Sequence, residues 1–116
     1  SQRRSFTWVG DAVRAMRALA ELPAAEGEVF NLGHTKDISI GELALLVKQL
    51  IGSDSEIQFI PYEEAYEQGF EDMQRRLPDI SKAQAAIGYQ PSLDLPEMLE
   101  RIIEHERLQV MLKTSA

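Results

Sequence analysis

The sequence predicts an α+β fold, a small helix-rich domain with about three short strands. Three observations carry that reading. Apolar residues recur at helical spacing in three stretches, within 13–20, 43–50 and 95–103. Short runs rich in aromatic and β-branched residues stand at 6–9, 28–32 and 57–60. No repeat or low-complexity tract interrupts the 116 residues, which suit one domain of ordinary size.

Phe6-Thr7-Trp8-Val9, bounded by Gly10, predicts the first strand. Asp11 reads as the N-cap of a helix whose stripe is Val13, Met16, Leu19 and Ala20 and which Pro23 ends. Glu28-Val29-Phe30-Asn31-Leu32 predicts a second strand, closed by Gly33. Ser39-Ile40-Gly41-Glu42 has the form of a capping box, in which serine and glutamate each satisfy an orphan N–H at the helix start. Leu43, Leu46, Val47 and Leu50 line the helix that follows, and Gly52 suits its C-terminal stop. Ile57-Gln58-Phe59-Ile60 predicts the third strand, ended by Pro61.

Residues 62–78 are polar, acidic and weakly periodic, which predicts a long loop with one short helix near 62–68. Asp79 or Ser81 can cap a short helix to Ala86, with Gly88 beyond it. Ser92 or Asp94, with Pro96 in the first turn, opens the last helix. Its stripe is Leu95, Met98, Leu99, Ile102 and Ile103, and residues 113–116 are expected to fray.

Composition narrows the function. Nineteen acidic against twelve basic residues leave a formal charge of −7, which argues against nucleic acid as a partner. No apolar run reaches the roughly 18 residues of a membrane span and no signal-like N-terminus is present, so no membrane association is expected. The absence of cysteine excludes a disulfide framework and a thiolate metal site, and fits a reducing cytoplasm. The chain opens on Ser1-Gln2-Arg3-Arg4 without a methionine and reaches its first apolar stretch within a few residues. A segment cut from a longer protein is the expectation.

Several chemistries lack their residues. The seven glycines, at 10, 27, 33, 41, 52, 69 and 88, stand singly, so no glycine-clustered dinucleotide turn can be built. No Tyr-x-x-x-Lys pair occurs: Tyr62, Tyr66 and Tyr89 are followed four residues on by Tyr66, Phe70 and Leu93. His34 and His105 have no ligand partner at metal spacing and are expected to be plain surface residues. No nucleophile-elbow pattern supports a serine triad. Catalytic, cofactor-binding and metal-binding residues are therefore expected to be none.

Two basic anchors remain: Arg4 beside the first apolar strand, and Arg75-Arg76 before Leu77-Pro78-Asp79. Guanidiniums converging on one point would make a pyrophosphate clamp, because their planar forks match phosphate oxygens. Asp79 can orient Arg76 or cap the helix that follows. Lys82 and the loop acids Glu63, Glu64, Glu67, Glu71 and Asp72 read as solvated.

Five segments together carry a resemblance. Gln2-x-Arg4-Ser5-Phe6-Thr7-Trp8-Val9-x-Asp11, Gly27 to Gly33, and Ile38-Ser39-Ile40-x-Glu42-Leu43-Ala44 come first. Arg76-Leu77-Pro78-Asp79-Ile80-Ser81-Lys82-Ala83 and Ile87-Gly88-Tyr89-x-Pro91 follow. In that order, across roughly residues 2–104, they resemble the second half of extended short-chain dehydrogenase/reductases. These are NAD-dependent nucleotide-sugar epimerases, dehydratases and decarboxylases, with UDP-glucuronate decarboxylases and UDP-glucose 4-epimerases most alike.

The resemblance implies a C-terminal, substrate-binding lobe without its Rossmann half, in which the missing N-terminal half holds NAD and the catalytic Tyr and Lys. It places Arg4 and Arg76 on the substrate diphosphate, with Arg75 a further candidate. A nucleotide sugar, with UDP-sugars favoured, and the Rossmann half are the implied partners. Trp8 stands where the family usually has tyrosine, and Gly10 where many members carry an acid. By this reading residues 1–116 form one substrate-binding domain, inert alone. The alternative is a free-standing nucleotide-sugar-binding or protein-interaction module without catalysis.

Overall fold

Pairing between the start of the chain and two segments farther along it creates the sheet. A computed structural model describes residues 2–61 and 74–115. Among these, strand β1 is Arg3–Arg4, β2 is Ile38–Ser39 and β3 is Arg75–Arg76, in the order β2-β1-β3. The central β1 runs antiparallel to β2 and parallel to β3. Arg3 lies opposite Ser39 and Arg75, and Arg4 opposite Ile38 and Arg76.

These are three short strands, but not the three the apolar runs predict. Residues 6–8 lead directly into a helix, and 28–32 and 57–60 carry no ladder. Strand preference rewards side chains that pack on a pleated, half-buried surface, and these runs are covered only in part, Phe30 and Leu32 packing on the core. Val29, Phe59 and Ile60 are instead among the most exposed apolar residues described. Part of the segment read as a loop is β3. The helix expected near 62–68, with Glu63, Glu64, Glu67, Glu71 and Asp72, lies outside the described residues.

Four helices are described: α1 (Val9–Ala20), α2 (Ile40–Ile51), α3 (Ser81–Ile87) and α4 (Leu95–Thr114), with a 3₁₀ turn at Pro23–Ala25. The capping box of α2 forms in full: Glu42 N donates to Ser39 Oγ at 3.1 Å, and Ser39 N to Glu42 Oε2 at 3.0 Å. Gly52 and Gly88 close α2 and α3 with φ of 73° and 63°, the left-handed region that glycine enters without strain. Pro96 sits in the first turn of α4, which runs on through Thr114.

Helix α1 departs from its predicted face. Its N-cap is Trp8, not Asp11. The buried positions are Asp11 and Ala15, whereas Val13 and Met16 of the predicted stripe are more than half exposed, as is Val9. The core explains the turn of the helix: small Ala15 and Ala83 let α1 approach α3, with Ile80 and Tyr89 beside them and Phe30, Leu32 and Ile87 packed around. The molecule is thin, 50 × 44 × 23 Å, with a radius of gyration of 18.0 Å. A compact chain of this length would have about 13 Å.

Candidate functional site

The parallel pairing of β1 with β3 brings Arg4 beside Arg76 from opposite parts of the chain. Successive strand side chains point to opposite faces, so each Arg-Arg dipeptide sends one guanidinium to each side. Arg3 and Arg75 take one face, where both meet Asp37. Arg4 and Arg76 line a cleft of about 560 Å³ with Ser5, Thr7, Asn31, Gly33 and the Leu77-Pro78-Asp79 segment, while Arg4 also donates from Nη1 to the Arg3 carbonyl at 2.8 Å and borders a second cleft with Asp37. Arg75 therefore joins Asp37 rather than the cleft lining.

Tight contacts among its walls hold the cleft. Tyr89 is buried and its hydroxyl donates to the Gly33 carbonyl at 2.9 Å, while burial pushes its phenol pKa up. Ser5 Oγ donates to the His34 carbonyl at 2.7 Å, tying β1 to the same loop. Asp79 accepts from Ser81 N at 2.9 Å, and bonds from the Ser81 side chain and backbone hold its carboxyl below the usual range, but the N-cap of α3 is Ile80, not Asp79 or Ser81. Gly33 has no positive φ. Its backbone passes so close to Pro78 that a Cβ there would collide with the proline ring. Gly33→Ala is thus expected to destabilise the protein by roughly 1–3 kcal/mol, the usual cost of overpacking, which thermal denaturation would read.

Several residues read as surface or cap are structural ties. His34 is buried: its Nδ1 accepts from Lys36 N at 3.0 Å, leaving Nε2 3.4 Å from Asp94 Oδ1. Lys82 is not solvated alone but reaches Glu28 Oε2 at 2.7 Å and the Val29 carbonyl at 2.8 Å, over the Phe30 ring. Ser92 does not cap α4; its N and Oγ donate to Asp11 at 2.9 and 2.5 Å. His105 is exposed, as expected. Arg3, Asp37, Tyr89 and Ser92 were not singled out for these roles, because each acts through a partner at least 34 residues away.

Above the start of α1, the Trp8 ring covers Gly10 so closely that even a Cβ would strike its indole nitrogen. Arg101 lies 5.4 Å from the same ring. No backbone turn is open to a pyrophosphate there. Among the described residues no group of three His, Cys, Asp or Glu could hold a metal ion, and no helix is long and apolar enough to cross a membrane.

The family model for GDP-mannose 4,6 dehydratase matches residues 1–102. The chain belongs to that family. This family member is 35% identical over 103 residues to a UDP-N-acetyl-alpha-D-glucosaminuronate decarboxylase from Bacillus cytotoxicus, covering 89% of the chain and 32% of that protein. Its fold matches UDP-glucose 4-epimerase from Thermotoga maritima, solved with UDP-glucose, at a TM-score of 0.77 and 28% identity, over 94% of the chain and 33% of the epimerase. It also matches UDP-glucuronic acid 4-epimerase from Bacillus cereus, solved with UDP-glucuronic acid and NAD. There the TM-score is 0.72 and the identity 27%, over 85% of the chain and 30% of the epimerase. The expected extended short-chain dehydrogenase/reductase fold is borne out, and the chain spans about a third of the length of these relatives.

Proposed function

We propose that this chain is the substrate-binding lobe of an NAD-dependent UDP-sugar epimerase or decarboxylase, and that Arg4 and Arg76 hold the substrate diphosphate. The observation that supports the reading is the register of β1 on β3, which pairs Arg4 with Arg76 on the wall of one cleft. Two adjacent cations in a chain of charge −7 form a local anion site, and a diphosphate supplies oxygens to both forks. The ligands bound in the related epimerases, UDP-glucose and UDP-glucuronic acid, carry that group.

Hydride chemistry belongs to the rest of the protein, where NAD would be bound. The lobe contributes binding energy remote from the reacting sugar carbon, which orients the sugar for chemistry. The thin shape supports a lobe meant to be covered, as do the exposed stripe of Val9, Val13 and Met16 on α1 and nearly bare Val29. Residues 1–116 then form one substrate-binding domain, docked on a Rossmann half and inert alone.

Calorimetric titration with UDP and UDP-glucuronate, on the 116-residue chain and the full-length protein, tests this, with conversion of the UDP-sugar in the presence of NAD followed in parallel. Turnover is expected only from the full-length protein, with UDP bound far more tightly there. Turnover by the isolated chain would overturn the inert-lobe reading. Equal UDP affinity in both would favour a free-standing binding module.

A further inference from the structure

We infer that Asp37 is a positioning residue for the arginine cleft: by bridging Arg3 on β1 to Arg75 on β3, it fixes the strand register that sets Arg4 beside Arg76. The inference rests on the diphosphate reading of that pair. Asp37 stands immediately before β2, so its backbone is anchored by the antiparallel pairing with β1. Its side chain is only 8% exposed. Oδ1 accepts from Arg3 Nε at 3.2 Å and Nη2 at 3.1 Å, and Oδ2 accepts from Arg75 Nε at 2.6 Å. One carboxylate thus joins strands 72 positions apart in sequence.

The need for it is electrostatic. The β1–β3 pair stacks four arginines in a two-by-two block, with like charges directly beside each other on both faces. Asp37 compensates one face, helped by Glu42 at 3.4 Å from Arg3. Bonds from Arg3, outweighing burial, and from Arg75 hold the Asp37 carboxyl below its usual range, so it stays charged at neutral pH. Arg3 N also donates to the Gln74 carbonyl at 2.7 Å, beside the two-residue ladder. A slip of one residue would turn Arg75 into the cleft and Arg76 out of it, because strand side chains alternate.

The test is binding of UDP, and of uridine by competition at millimolar concentration, to the full-length protein and its Asp37→Asn, Arg75→Gln and Arg4→Ala variants. Asp37→Asn and Arg75→Gln are each expected to weaken UDP about tenfold, the scale of one charged contact, with uridine changed less than twofold. A role in general stability would weaken both ligands together and overturn the inference. Unchanged UDP affinity in both variants, with a loss in Arg4→Ala, would overturn the positioning role alone. Unchanged affinity in Arg4→Ala as well would remove the diphosphate reading on which it rests. Arg75 is largely exposed, so Arg75→Gln decides the matter should Asp37→Asn fail to fold.

Discussion

Replacing Arg4 and Arg76 together with alanine is expected to reduce UDP-sugar binding by the full-length protein on the order of a hundredfold. A hydrogen bond to a charged group is worth roughly 1.5–3 kcal/mol, or about ten- to hundredfold per arginine. The two lie on paired strands and share a cleft, so their effects should not add simply, and the double variant should fall short of the product. Contacts to a diphosphate persist from bound substrate to transition state, so KM should rise more than kcat falls. Affinity should weaken with salt, as charged contacts near a surface do. Lysine at either position should rescue only part of it, since an ammonium lacks the planar fork. Steady-state kinetics on the alanine and lysine variants, repeated across a salt series, checks these expectations. An unaltered KM in the double variant would leave the cleft without its proposed role.

Loss of the Asp11 carboxylate should produce the largest effect on stability. Asp11 is 1% exposed, and on it converge Ser92 N, Ser92 Oγ and the Arg14 guanidinium. It therefore stitches the first turn of α1 to the entry of α4 across 81 positions. Alanine there removes the shared acceptor of the Ser92 N–H and hydroxyl, Ser92 itself being exposed, and opens a gap at the buried Asp11 position, a loss of roughly 2–3 kcal/mol by the worth of hydrogen bonds to a charged group. That corresponds to a fall of about 10 °C or more in Tm for a domain of this size.

The sign of the pH dependence follows from the same contacts. Burial pushes the Asp11 pKa up, but the bonds from Ser92 and Arg14 outweigh it and hold it below the usual value. Its stabilisation is thus fully present above the unfolded carboxylate pKa of about 3.9 and is lost as pH falls through the lower folded value. The Tm gap between wild type and Asp11→Asn should be constant near neutrality and narrow only in acid. A gap that narrows instead toward alkaline pH would contradict this account.

Local signals were legible where the chemistry is local. The capping box at Ser39 and Glu42, the glycine stops at 52 and 88, and Pro96 in a first turn each act within a few residues, and each was readable. The arginines were readable as a motif, but their convergence was not. Arg4 and Arg76 meet only through a parallel pairing between strands 72 positions apart. Strand positions misled for a related reason: apolar runs report what a sheet could bury, and Val29, Phe59 and Ile60 lack the surface that would bury them. On α1, spacing alone marked Val13 and Met16 as core, whereas the approach of Ala15 to Ala83 turned the polar Asp11 inward.

By itself the sequence determined the helix-rich α+β class, the lack of a dinucleotide turn, and the arginine-bearing segments that carry the family likeness. Each depends on residue type and short-range spacing, which the chain states directly. Tertiary structure alone decided which arginine of each pair faces the cleft, and that Asp37 and Asp11 tie distant elements together. Strand register and burial are set by partners far along the chain, and a one-residue change in either would reverse the assignment.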